Sequence, residues 1–206
     1  MIPIQHVVFD IGRVLVHWDA EIPYRDLIPD ENERRWFLET VCSPAWNLEQ
    51  DRGRSWEEAE SLLIGEYPEH ESLIRAYRER WIEMVPHTLK DNIAILEKLQ
   101  SDGVDVTMLT NWNQDTWREA QTRFSFLDST RGVTVSGQVG LIKPDAAIYH
   151  RHAESFNLTP ELSLFIDDSE KNVEAARSLG WHAIHYIPGE PLQDALNNYQ
   201  LKSSRS

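Results

Sequence analysis

Three places in this 206-residue chain end a strand-like run on side chains that can do chemistry. Ile4-Gln5-His6-Val7-Val8-Phe9 runs into Asp10, Val104-Asp105-Val106-Thr107-Met108-Leu109 into Thr110 and Asn111, and Ser163-Leu164-Phe165-Ile166 into the acidic pair Asp167 and Asp168. Taken singly, an aspartate at the end of a buried strand also suits a turn or a helix cap. Three carboxylates in one crevice would behave differently. With Lys143 of Gly140-Leu141-Ile142-Lys143-Pro144-Asp145 as the single nearby cation, Asp10, Asp167 and Asp168 would leave a local charge of about −2. Like charges at such range either raise a pKa or recruit a metal. A hard divalent ion such as Mg²⁺ answers that sum, because it keeps several waters and takes one or two carboxylates plus substrate oxygens.

The elements that must position these groups alternate. Helix patterns over Leu89–Leu99, Gln114–Phe124, Asp145–Phe156 and Glu170–Leu179 are interleaved with strand patterns at 104–109, 133–135, 163–166 and 182–186. Pro144 is expected at the first position of its helix. Such alternation predicts an α/β fold, a mostly parallel, Rossmann-like sheet with helices on both faces, whose ligand site lies beyond the carboxyl ends of the strands. From about Glu31 to Glu83 the texture is charged, tryptophan-bearing and helical, with Pro86 marking its end. The expected organisation is therefore a core of residues 1–16 and 86–200, a small all-helical cap of residues 17–85 inserted after the first strand, and a frayed tail of residues 201–206. Within the cap, Trp46-Asn47-Leu48-Glu49-Gln50-Asp51-Arg52-Gly53 reads as a loop that either sets Trp46 or Arg52 over the substrate or is a plain turn with Trp46 in the cap's own core.

Composition narrows the partners. The 34 acidic residues against 20 basic ones give a net charge of −14, a field that repels phosphate backbones and anionic lipid surfaces, so neither nucleic acid nor membrane is expected as a partner. Cys42 is the single cysteine and has no internal partner for a disulfide, and no apolar run is long enough to span a bilayer. A cytoplasmic location is the expectation.

In order and spacing, the motifs Phe9-Asp10-Ile11-Gly12, Leu109-Thr110-Asn111, Lys143-Pro144-Asp145 and Asp167-Asp168-Ser169 with Asn172 resemble those of the haloacid dehalogenase-like hydrolases. The likeness spans almost the whole chain. It is nearest in pattern to the branch of sugar-phosphate phosphatases, 2-haloacid dehalogenases and the amino-terminal domain of epoxide hydrolases. The resemblance implies Asp10 as nucleophile, Thr110 and the Asn111 amide as ligands of the transferring group, and Lys143 as the neutralising cation. It further implies Asp10, the Gly12 carbonyl and Asp168 as Mg²⁺ ligands with Asp167 direct or through water, Asn172 as the residue orienting that loop, and a helical cap that closes over the site. Gly12, Arg13, Asn111, Trp46, Arg52 and Trp112 are the expected contacts of a small phosphorylated substrate. The expected reaction is phosphate release through an aspartyl-phosphate, which splits one hard displacement into two.

Gly12 departs from the pattern. Phosphatases of the family carry there a second aspartate that protonates the leaving alcohol and then activates water, and such positioned help is worth about 10²–10⁴-fold in rate. Glycine keeps only the carbonyl. The departure implies an activated leaving group, as in some sugar phosphates, or a donor borrowed from His17 or Asp19. It also keeps open a metal-free 2-haloacid dehalogenase, and a weakly catalytic binding protein.

Overall fold

The structure, a computed structural model, describes residues 3–203. Among them, five parallel strands form one sheet in the order β3-β2-β1-β4-β5: β1 His6–Phe9, β2 Asp105–Thr110, β3 Val133–Val135, β4 Ser163–Asp167 and β5 His182–His185. β1 lies at the centre, with Phe9 level with Met108 of β2 on one side and with Ile166 of β4 on the other. The strand period of two divides the core. Val7 and Phe9 of β1 and Leu164 and Ile166 of β4 enter one apolar cluster, whereas Val8 and Phe165 enter another on the opposite face. Both faces are covered, as a parallel sheet requires.

Helices α1 Tyr24–Leu27, α2 Glu31–Trp36, α3 Pro44–Arg52, α4 Trp56–Glu66 and α5 Glu71–Glu79 follow β1 before any further strand. A wide turn over Phe37–Val41 continues α2, and a 3₁₀ turn over Trp81–Met84 closes the segment. The alternating half then supplies α6 Lys90–Ser101, α7 Gln114–Arg123, α8 Ser136–Val139, α9 Ala146–Phe156, α10 Glu170–Ser178 and α11 Leu192–Leu196.

Three local expectations are corrected. Residues 46–52, read as a loop, are most of α3, which begins with the Ser43 hydroxyl accepting from the Trp46 amide and with Pro44 in its first turn, and stops at Gly53 with φ of 121°. That φ favours glycine. Pro144 is not the first residue of α9, which starts at Ala146 with Asp145 before it. Leu201 and Lys202 are not frayed, because Leu201 bridges to Ile4 and the Lys202 amide donates to the Ile4 carbonyl at 2.8 Å. Residues 204–206 of the expected tail lie outside the described residues.

Under the sheet, the buried imidazole of His152 on α9 lies 3.0 Å from the Thr107 hydroxyl and 2.8 Å from that of Thr134. Burial holds it neutral, pushing its pKa down to about 3, with the charges of Arg131 and Lys143 adding. The unfolded chain binds this proton near pH 6.5 and the folded chain does not, so stability is lost as pH falls from about 6.5 toward 3. Between pH 7.5 and 5 this group is expected to remove about 2 kcal/mol. Buried carboxyls contribute with the opposite sign, so the check is urea unfolding of the unaltered chain beside His152→Gln at both pH values. The unaltered chain should show the steeper loss on acidification by about that amount, and parallel curves would refute the assignment.

Candidate active site

The carboxyl ends of β1, β2 and β4 meet where the sheet order turns back about its central strand, and there the backbone hands over from ladder bonds to side chains. The Asp10 amide still donates to the Ile166 carbonyl at 2.8 Å, which fixes its carboxylate beside β4. The next residues fold into a tight turn in which Gly12 bridges to Val16 and the Arg13 amide donates to the Val16 carbonyl. Arg13 adopts φ of 57°, unusual for a side-chain-bearing residue, and its guanidinium lies 5.3 Å from the Trp18 ring centroid.

Lys143 is at the centre of the charge arrangement. Its Nζ donates to the Leu109 carbonyl at 3.1 Å and lies 2.8 Å from Asp10 Oδ1 and 2.6 Å from Asp167 Oδ2, so its three hydrogens have three acceptors. The Lys143 backbone is clamped by Asn111, whose side-chain Oδ1 accepts from its amide at 2.8 Å and whose Nδ2 donates to its carbonyl at 3.0 Å. Burial opposes the ammonium, but Asp10 and Asp167 outweigh it and hold its pKa above the ordinary value.

Asp167 is consumed by structure. Its oxygens accept from the Ser169 amide at 2.8 Å and from Asn172 Nδ2 at 3.0 and 3.1 Å, and the Asn172 carbonyl in turn accepts from Tyr149. Asp10 and Asp168 face a cavity of about 340 Å³ instead. Burial raises the Asp10 pKa, Lys143 pulls it down and Asp167 raises it further. Asp168 is raised by burial and by Asp167, against Arg13 and Lys143. One oxygen each from Asp10, Asp167 and Asp168 lies within 4.8 Å of the others, the donor chemistry and charge deficit that suit a hard divalent cation.

The cavity wall also contains Gly12, Arg13, Trp18, Pro44, Asn47, Asp51, Trp81, Asn111, Trp112 and Thr116. Of the residues singled out in the sequence, Asp10, Gly12, Arg13, Asn111, Trp112 and Asp168 line it, and Lys143, Thr110, Asp167 and Asn172 are buried around it. Trp46 and Arg52 are off this wall. Trp46 packs edge-on against Trp56 and Tyr77 and donates to the Ala59 carbonyl, and Arg52 pairs with Asp145 and Glu49. His17 and Asp19 do not line the cavity either. His17 stacks on His87, and Asp19 accepts from the Glu21 amide and from Arg25.

Sequence reasoning passed over Asn47 and Asp51, which α3 brings to the cavity. The carboxyl-terminal half of α3 is tied to the core by Ser136 donating to the Asp51 carbonyl at 2.6 Å and by Asn113 donating to the Gln50 carbonyl at 3.0 Å. Gly137 of α8 lies close against the 112–114 turn that carries Asn113, since a Cβ there would lie 2.7–2.8 Å from backbone atoms of Gln114 and Trp112. The Ser43-Pro44 start and the Gly53 stop were the available signals for the helix.

Among known proteins, the chain is similar to a sesquiterpene phosphatase of Aspergillus oryzae, 27% identical over 92 residues that make up 45% of this chain and 47% of that protein. It spans less than half the length of the curated relatives it matches. Its fold is similar to that of a haloacid dehalogenase family enzyme of Bacteroides thetaiotaomicron solved with magnesium and inorganic phosphate, with a TM-score of 0.71, 23% identity and coverage of 91% of this chain and 96% of that one. The L-2-haloacid dehalogenase of Xanthobacter autotrophicus has the same fold at a TM-score of 0.65 and 17% identity, over 97% of this chain and 84% of that one. The sequence pattern of the haloacid dehalogenase-like hydrolases matches residues 47–185, and the chain belongs to that family.

Proposed function

We propose that this chain is a magnesium-dependent phosphatase that hydrolyses a small phosphorylated metabolite through an aspartyl-phosphate on Asp10. The observation that carries the reading is the contact of Lys143 with Asp10 at 2.8 Å, beside a second carboxylate, Asp168, that faces the same cavity. In this reading Asp10 attacks phosphorus, and Lys143 offsets its charge and that of the phosphoryl oxygens. Thr110 and the Asn111 amide hydrogen-bond the transferring group. Asp10, Asp168 and the Gly12 carbonyl hold Mg²⁺, with Asp167 behind them and Asn172 fixing Asp167. When bound, the ion supplies positive charge to the phosphoryl oxygens.

Residues 17–85 serve as a cap, and α3 and the neighbouring turns give the cavity Trp18, Pro44, Asn47, Asp51 and Trp81. A volume of about 340 Å³ suits a small metabolite such as a sugar phosphate. The alternative, displacement of halide from a 2-haloacid by Asp10, is favoured by Gly12. The acidic cluster disfavours it, because a halocarboxylate and a departing halide would both be repelled.

The test is a panel of phosphomonoesters assayed with Mg²⁺ and after chelation, beside 2-chloropropionate. Phosphate release that falls at least about 100-fold on chelation and returns with Mg²⁺ is expected. Halide release indifferent to chelation would replace this reading with the alternative.

A further inference from the structure

Protonation of the leaving oxygen needs a group that Gly12 does not provide, and His17 and Asp19 are engaged elsewhere. Among the described residues, the ionisable side chains on the cavity wall are Asp10, Arg13, Asp51 and Asp168. Asp10 and Asp168 are committed to the nucleophile and the cation, and a guanidinium keeps its proton at any working pH. Asp51 remains.

Its place is built. It sits in the last turn of α3, and its own carbonyl is held by Ser136 at 2.6 Å, so the backbone that carries the carboxyl is fixed to the end of β3. Asn47, one turn earlier, donates to Asp51 Oδ2 at 3.2 Å and orients the group, and no salt bridge to Asp51 is present among the described residues. A half-buried carboxyl with a positioned side chain and no paired cation is suited to exchange a proton rather than to hold a charge.

We propose that Asp51, presented by α3 on the wall of the cavity that holds Asp10, is the general acid and base of this site. The inference rests on the phosphatase reading above. As an oxygen of Asp10 bonds to phosphorus, the bond from phosphorus to the ester oxygen breaks with its electron pair on that oxygen, which takes the proton of the Asp51 carboxyl and leaves as the alcohol. The Asp51 carboxylate then takes a proton from water as the water oxygen bonds to phosphorus. The bond from phosphorus to Asp10 breaks, the Asp10 carboxylate is restored, and inorganic phosphate departs.

The surroundings of Asp51 suit both halves of this cycle. Burial pushes its pKa up to about 7, with the Asn113 backbone amide and Lys143 pulling down and Asp10 pushing up. Tyr77 of α5, the other ionisable group coupled to it, is a buried phenol that stays neutral. An acid of this strength is present in both protonation states near neutral pH, as a group that gives and then regains a proton requires.

The test compares two phosphomonoesters in Asp51→Asn and Asp51→Glu. Glycerol phosphate releases a poor leaving group that needs a proton, and p-nitrophenyl phosphate releases a phenolate that does not. Asp51→Asn is expected to lower kcat/KM for glycerol phosphate by about 10²-fold or more and for p-nitrophenyl phosphate by less than about tenfold. Asp51→Glu, which keeps an acid, should retain more of the glycerol phosphate rate than Asp51→Asn. Activity on the aryl ester and an unchanged thermal unfolding midpoint report that each variant is folded. Equal losses on the two esters, or Asp51→Asn equalling Asp51→Glu on glycerol phosphate, would overturn the role of Asp51 while leaving the phosphatase reading intact. Failure of the unaltered chain to release phosphate from either ester would remove that reading and the inference with it.

Discussion

Asp10→Asn is expected to lower phosphate release by about 10⁴-fold or more while the protein remains folded. An amide matches the carboxylate in shape but is a poor nucleophile, and any acyl-phosphate path through it is closed. The fold tolerates the change because Lys143 keeps its bonds to the Leu109 carbonyl and to Asp167, and because one of three clustered carboxylates is removed. The Asp10 amide bond to Ile166 is backbone and is untouched. Circular dichroism and a urea midpoint near that of the unaltered chain, together with loss of turnover, separate loss of the nucleophile from loss of structure. An unfolded variant would show instead that the Asp10 charge is needed to hold Lys143.

Lys143→Met should be costly in both respects. Its Nζ is in contact with two carboxylates, and its side chain is 1% exposed, so removal leaves the largely buried Asp10 and Asp167 without the cation they share. Stranding buried charge in this way costs about 3–5 kcal/mol, a large part of the stability of a domain this size. Activity should fall as well, because under the proposed function Asp10 would lose the charge that lets it approach a phosphate dianion. Urea unfolding at neutral pH reads the first effect and single-turnover phosphate release in the folded fraction reads the second. A variant within about 1 kcal/mol of the unaltered chain would mean that water or ions reach the carboxylates freely.

The positions of Asp10, Thr110 and Asp167 could be read from the sequence because a parallel sheet sends its strand ends to one edge, and each strand announced itself by a short apolar run. What could not be read is where the helical segment folds back. Asp51 and Asn47 sit in a stretch whose polarity suggests a loop, yet one face of α3 brings these two polar side chains to the cavity while Trp46 and Gln50 pack inward. Ser43, Pro44 and Gly53 mark both ends of the helix. Trp46 and Arg52 are the large and charged members of the stretch, but a helix turns successive residues through about 100°, and the turn that brings Asp51 to the cavity carries its neighbour Arg52 to Asp145. Asp145, in turn, precedes α9 where Pro144 was expected to open it.

The most direct test of the account is to mix enzyme, Mg²⁺ and a phosphomonoester, quench in acid within one turnover, and map the phosphoryl group by peptide mass spectrometry. An acid-stable, base-labile phosphoryl group is expected on the peptide containing Asp10, absent from Asp10→Asn. Phosphate released in that turnover with no modified Asp10, or with the label on another residue, would contradict it.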